Sequence, residues 1–315
     1  MKSNIDSNQV TFVNAASPAS ITECDTEYLA VCDESARYEP RRIEQQLRVL
    51  EQNPELDVLG AAAYVCADDW TPKYVLPLFP SHVMVLWHSY VGIPFAWQSL
   101  VFRTEALRKA FEKAEVEPRN TQINFTEGNE GNEALDRTAD RQVLQEEAKT
   151  SKHEARPTNH DHSSSWLRLS VLVAEAGRCG NMRMPQVSVR QSQMPDAAFR
   201  RDWVSERLVR LGLSKKASGV LAAYSAQSAV YQYPEVLGNQ DLPAYTILLK
   251  AYRRFLKRHG LRDDHLTRHY RNDLVHQLLK RLPARLMLTR AGLTLLQQAT
   301  LLAPQTTWKE LRNRV

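Results

Sequence analysis

The sequence predicts an α/β fold: a mostly parallel sheet with helices on both faces, then a helical C-terminal region. Three observations carry this. Residues 28–60 read as strand, acidic turn, amphipathic helix and strand. Other apolar runs before residue 199 are short and bounded by turn residues, whereas from Phe199 onward apolar residues recur with helical period.

Tyr28-Leu29-Ala30-Val31-Cys32 is short enough for a buried strand and is stopped at once by Asp33-Glu34-Ser35. Pro40 suits a first helical turn, where a fixed φ and a missing N–H cost nothing. Ile43, Leu47 and Leu50 then form a stripe toward a core, leaving Arg41, Arg42, Glu44 and Glu51 wet. Asn53-Pro54 ends the helix, and Leu56–Gly60 is the next strand. Such a unit is a right-handed crossover, and open sheets bind ligands beyond the carboxyl ends of their strands, where Asp33 stands.

The pattern EYLAVCDE at 27–34, followed by Pro40, Arg42, Glu44, Gln46, Leu50-Glu51, Asn53-Pro54-Glu55 and Asp57-Val58-Leu59-Gly60, resembles the middle of the family 2 glycosyltransferases. The resemblance resumes at Ile93–Arg103, at Trp166-Leu167-Arg168-Leu169 and from Ala176-Gly177-Arg178 to Arg190, covering roughly residues 9 to 192. It implies the nucleotide-diphospho-sugar transferase sheet, a nucleotide-diphosphate sugar as donor, and a place in bacterial cell-surface polysaccharide synthesis.

Against the family pattern, the chemistry is eroded. Val10–Asn14 resembles the third strand, and nothing before it supplies the two strands that carry the uracil and ribose contacts, so the sheet is expected to be incomplete. A partner protein or the C-terminal part of the chain would cover the open edge. The family's Asp-x-Asp lets two carboxylates hold a divalent cation, Mn or Mg, against the diphosphate. Here Asp33 matches the first acid, Ser35 and Ala36 replace the later ones, and Glu34 is the one substitute. The family's Glu-Asp before the W-L-R-L tryptophan, its aspartate a general base, aligns with Asp161 and His162. On the acceptor side stand Trp97, which either stacks on a sugar or is buried, and Arg190, the remnant of a Tyr-Arg-x-His motif. The resemblance therefore implies a member impaired or inactive as a transferase on its own. Its alternatives are an active transferase completed by a partner chain, or a non-catalytic membrane- or carbohydrate-binding module.

The organisation expected is a frayed stretch at 1–8, a transferase-like domain at 9–198 with a polar, disordered insertion at 113–165, and a basic helical region at 199–315. His82 and His88 read as surface or packing residues, and Asp68-Asp69 as a hairpin turn. Cys24, Cys32, Cys66 and Cys179 lack zinc spacing and read as free thiols of a reducing compartment. The MKSNIDSNQV start has no apolar signal region, and Tyr74–Phe102, the longest stretch without Asp, Glu, Lys or Arg, is broken by prolines. A cytoplasmic location follows, with a peripheral place on the inner face of the membrane if the basic C-terminal helices lie on anionic lipid. The rival expectation for those helices packs Leu278, Leu279, Leu282, Leu286, Leu293 and Leu296 onto the first domain. Pro283 and Gly292 interrupt their last stretch. No nucleic-acid motif accompanies the charge of +5.

Overall fold

A computed structural model of the chain describes residues 9–14, 24–76, 79, 81–116, 159–226, 236–261 and 265–313, of which 111, 113–116, 159–166 and 193 in backbone only. The three segments read above as strands, Val10–Asn14, Tyr28–Cys32 and Leu56–Gly60, coincide with or overlap strands. β1 (Val10–Asn14), β2 (Tyr28–Cys32), β4 (Val58–Cys66), β5 (Pro72–Val75) and β7 (Cys179–Arg190) join β3 (Arg37–Tyr38) and β6 (Val101–Arg103) in one seven-stranded sheet. Its order is β1-β2-β6-β4-β7-β3, with β5 paired to β4.

The sheet is mixed, which corrects the mostly parallel expectation. β1 pairs β2 in parallel and β4 pairs β7 in parallel, but β6 runs against both β2 and β4. The reason lies in how the chain enters β6. α2 (His82–Val91) and a buried 3-10 turn at Trp97–Ser99 deliver it from the carboxyl edge of its neighbours, so it can only run the other way. The flank of β2 expected to be open is also paired: Val10 to Asn14 align with Tyr28 to Cys32. Short as it is, β1 therefore becomes the outer strand on that side, with Phe12 exposed.

α1 (Arg42–Gln52) follows the predicted stripe, burying Leu47 and Leu50. α3 (Thr104–Val116) and α4 (Asn159–Ala176) flank residues 117–158, where most of the proposed insertion lies outside the described residues. The helix expected from Trp166 thus begins at Asn159, and Leu169 and Val173 are buried as its stripe requires. Gly177 ends it for lack of room: a Cβ there would sit 1.9 Å from Asp57 Oδ2, the same oxygen that accepts from the Arg178 N–H at 2.7 Å.

The remaining helices are α5 (Ala197–Arg210), α6 (Lys215–Ala226), α7 (Leu242–Arg258), α8 (His265–Arg281), α9 (Ala284–Met287), α10 (Arg290–Leu302) and α11 (Pro304–Arg312). Their apolar faces share one core with the sheet layer, a cluster running from Val13 to Ala303. α2 is the meeting place, buried from Val85 to Val91. Trp87 lies 4.8 Å from Tyr252 and donates to Tyr270 Oη at 3.2 Å, while Trp203 Nε1 donates to the Gly92 carbonyl at 3.2 Å. Leu278, Leu279 and Leu282 are core residues, whereas Leu293 is exposed. Pro283 breaks the last stretch as expected; Gly292 does not, and instead lies inside α10, where a Cβ would meet the Leu286 carbonyl oxygen at 1.9 Å.

His88 sits at this junction, stacked on Phe79 with ring centroids 3.2 Å apart. Burial pulls its pKa down from 6.5 to about 3. The unfolded chain therefore takes up a proton that the folded chain refuses. Stability is full above about 6.5 and is lost as pH falls toward about 3, with a slope near 1.4 kcal/mol per pH unit for one proton. Urea midpoints measured between those limits should fall less steeply for His88→Phe than for the wild type. Equal slopes would show that His88 does not carry the effect.

Candidate functional site

β1, β2, β4 and β7 run in one direction, so Asn14, Cys32, Cys66 and Arg190 end at one edge of the sheet. β6 is too short to fill the space between β2 and β4 all the way. It pairs with Tyr28 to Ala30 and with Val58 and Leu59, and beyond it backbone carbonyls lack a ladder partner. α1 supplies the donors. Arg42, 2% exposed, donates from Nη1 to the Gln98 carbonyl at 2.7 Å and from Nη2 to the Val31 carbonyl at 3.0 Å. Gln46 Nε2 donates to the Leu59 and Ser99 carbonyls at 3.2 and 2.7 Å, and Ser99 Oγ accepts from the Ala61 N–H at 2.8 Å. The expectation that Arg42 is wet is thus overturned, because carbonyls stranded past the end of β6 need its fork.

No carboxylate pairs with Arg42 among the described residues. Its guanidinium lies 4.5 Å over the Tyr38 ring and 3.7 Å from Cys32 Sγ. Desolvation lowers its pKa, and the same burial raises those of Tyr38 and Cys32, so both neighbours stay neutral.

The acidic turn closes on itself. Asp33 Oδ1 accepts from the Ser35 N–H at 2.9 Å, the Asp33 N–H donates to Tyr38 Oη at 2.6 Å, and the Ala36 N–H donates to the Asp33 carbonyl at 3.0 Å. Ala36, at the place of a later acid, packs against the cluster that contains Val65 and Val187. Glu34 is exposed beside it. Among the described residues no three His, Cys, Asp or Glu side chains gather closely enough to hold a metal ion. At the positions of the later acids the turn offers a serine and an alanine, so the donor set lacks the second carboxylate of the Asp-x-Asp pattern.

Trp97 takes the buried alternative: it is 6% exposed and part of the main core, where no ligand reaches it. Arg190 ends β7 at the sheet edge, 4.7 Å over the ring of Trp70. Sequence reasoning missed Trp70 and Arg37, whose guanidinium lies 4.2 Å over the same ring. Trp70 closes the β4–β5 turn with φ 70°, a left-handed conformation costing a non-glycine residue about 1–2 kcal/mol. Asp68 and Asp69 are turn residues as expected: Asp68 Oδ1 accepts from Ser192 Oγ at 2.8 Å and Asp69 Oδ1 from the Thr71 N–H at 2.9 Å.

Asp161 and His162 lie in the N-terminal part of α4, their side chains outside the described residues. One Cys–His pair does form, His82 Nδ1 lying 3.2 Å from Cys179 Sγ. Burial pushes that thiol far above the ordinary range, so the pair is a packing contact and not a nucleophile with its base. All four cysteines are free thiols. No family profile matches this chain, and no curated protein matches it either.

Replacing Arg42 by methionine keeps the apolar stem and leaves the Val31 and Gln98 carbonyls without donors. The expected loss is about 2–4 kcal/mol, read from urea unfolding. A loss below about 0.5 kcal/mol would mean that the slot closes without the guanidinium.

Proposed function

We propose that this chain is a family 2 glycosyltransferase-like protein, associated with bacterial cell-surface polysaccharide synthesis, that does not transfer sugar on its own. The reading rests on the sequence pattern of residues 27–60, and the single observation that carries its second half is the acidic turn. The one matching carboxylate, Asp33, is bound into its own turn, and Ala36 packs into an apolar cluster where a further acid would be needed. On this reading the fold serves as a scaffold or partner subunit. Calorimetry of the full chain with nucleotide-diphosphate sugars, with and without manganese, tests it. No saturable heat from the folded chain is expected. Metal-dependent binding that Asp33→Ala abolishes would instead make the chain an active transferase.

A second reading, a peripheral place on anionic membrane, is favoured by the far end of the helical region. Leu288 and Trp308 are 83% and 67% exposed, and Leu293 and Leu301 are exposed on α10 between them in sequence. Residues 265–313 hold eight Lys and Arg against Asp273 and Glu310, and Glu310 is engaged by His276 Nδ1 at 2.8 Å. Exposed aliphatic and indole groups beside cationic side chains suit an anionic lipid surface. Among the described residues no helix is long and apolar enough to cross a membrane, so contact would be with the surface alone. In flotation assays the full chain should follow vesicles containing phosphatidylglycerol and not neutral ones, and Leu288→Ser with Trp308→Ser should abolish this. Equal recovery with both vesicle types would remove the reading.

A further inference from the structure

Arg37, Trp70 and Arg190 form a cluster that neither reading above uses. β3 and β4 flank β7, and their register aligns Arg37 with Ser188, Ser188 with Tyr64, and Arg190 with Cys66. Paired residues point to the same face of a sheet, as do residues two apart on one strand. Arg37, Ser188, Tyr64 and Arg190 therefore share one face, opposite the apolar cluster built on Val65, Val187 and Val189. Over it, the Trp70 indole holds both guanidiniums, 4.2 and 4.7 Å from its ring centre.

Among the described residues both cations lack an anion: neither Arg37 nor Arg190 makes an ion pair or a side-chain hydrogen bond to protein, and Arg190 Nε is screened from solvent without an acceptor. The nearby turn acids are committed elsewhere, Asp68 to Ser192 and Asp69 to Thr71. Holding two unpaired guanidiniums against one ring, on a residue in a left-handed conformation, is costly unless something offsets their repulsion. The row continues through Tyr64 into an open groove of about 450 Å3, lined by Glu39, Arg41, Gln45, Met184 and Gln186 as well.

We infer that Arg37 and Arg190, preorganised by Trp70, bind the oxyanion of a small organic ligand, a phosphate ester or a carboxylate, whose body lies along Tyr64 in the groove. Arginine suits this task because its planar fork matches such groups with two parallel hydrogen bonds. The site shares Arg190 with the acceptor side that the resemblance implies but does not involve Asp33, so loss of donor binding in Asp33→Ala and loss of anion binding in the Arg variants are distinguishable.

Calorimetry of the full chain at low salt, with inorganic phosphate, glucose 6-phosphate and glucuronate as probes, tests the inference. At least one probe should bind saturably, and which one separates the phosphate source from the carboxylate source. Arg37→Gln and Arg190→Gln should each weaken binding about tenfold or more, as expected for a lost charge-assisted hydrogen bond. Arg183→Gln, an exposed residue of the same strand, should leave binding unchanged. Tyr64→Ala should weaken the sugar-borne probe and not inorganic phosphate. If the Arg variants fail to fold, the wild-type melting temperature must still rise with the probes over chloride at matched ionic strength. No saturation below about 10 mM with any probe, or binding unchanged in both Arg variants, would overturn the assignment.

Discussion

The structure depends on a single mismatch between strands. Four parallel strands need their neighbours to run the full length of the sheet, yet the strand between β2 and β4 is three residues long and reversed. Past its end the two neighbours would present carbonyls to a dry interior, at a cost of about 1–3 kcal/mol for each one left unmade. Arg42 and Gln46 reach down from α1 to meet them, and Ser99 ties the 3-10 turn to β4. One helix therefore both covers the sheet and completes it.

That solution shapes the chemistry at the edge. The place beyond β2 and β4, where open sheets receive ligands, is occupied by a guanidinium already committed to backbone. The acid beside it is committed to its own turn. The unspent cationic groups lie further along, where β3, β7 and the β4–β5 turn bring Arg37, Arg190 and Trp70 together.

How much of this was legible in the sequence varies with the range of the interactions involved. β2, α1 and β4 were readable because their signals are local: an apolar run, a stripe at i, i+4 and i+7, and a Pro after Asn53. The direction of β6 was not, since its residues look alike whichever way they run and only the approach through Trp97–Ser99 decides. Arg42 read as solvated because a charge on the polar side of a helix usually is; its burial follows from strands far away in sequence. Trp97 was weighed both ways and is buried. The Trp70 cluster left no local signal, as its members come from three separate segments. Asp33 was found by its place after a strand, but the turn that engages it was not.

The common core has a consequence for how such a chain can vary. A single apolar cluster spans Val13 to Ala303, threaded through α2, whose residues Val85 to Val91 face inward. Separated from the sheet, the helical half would expose the rings that face α2, among them Tyr252 and Phe255, and the sheet half would present Trp87 and Tyr90 to water. Recombination that exchanges tail against tail, a common way for modular proteins to gain new partners, is closed to this architecture unless α2 travels with the helices it packs against.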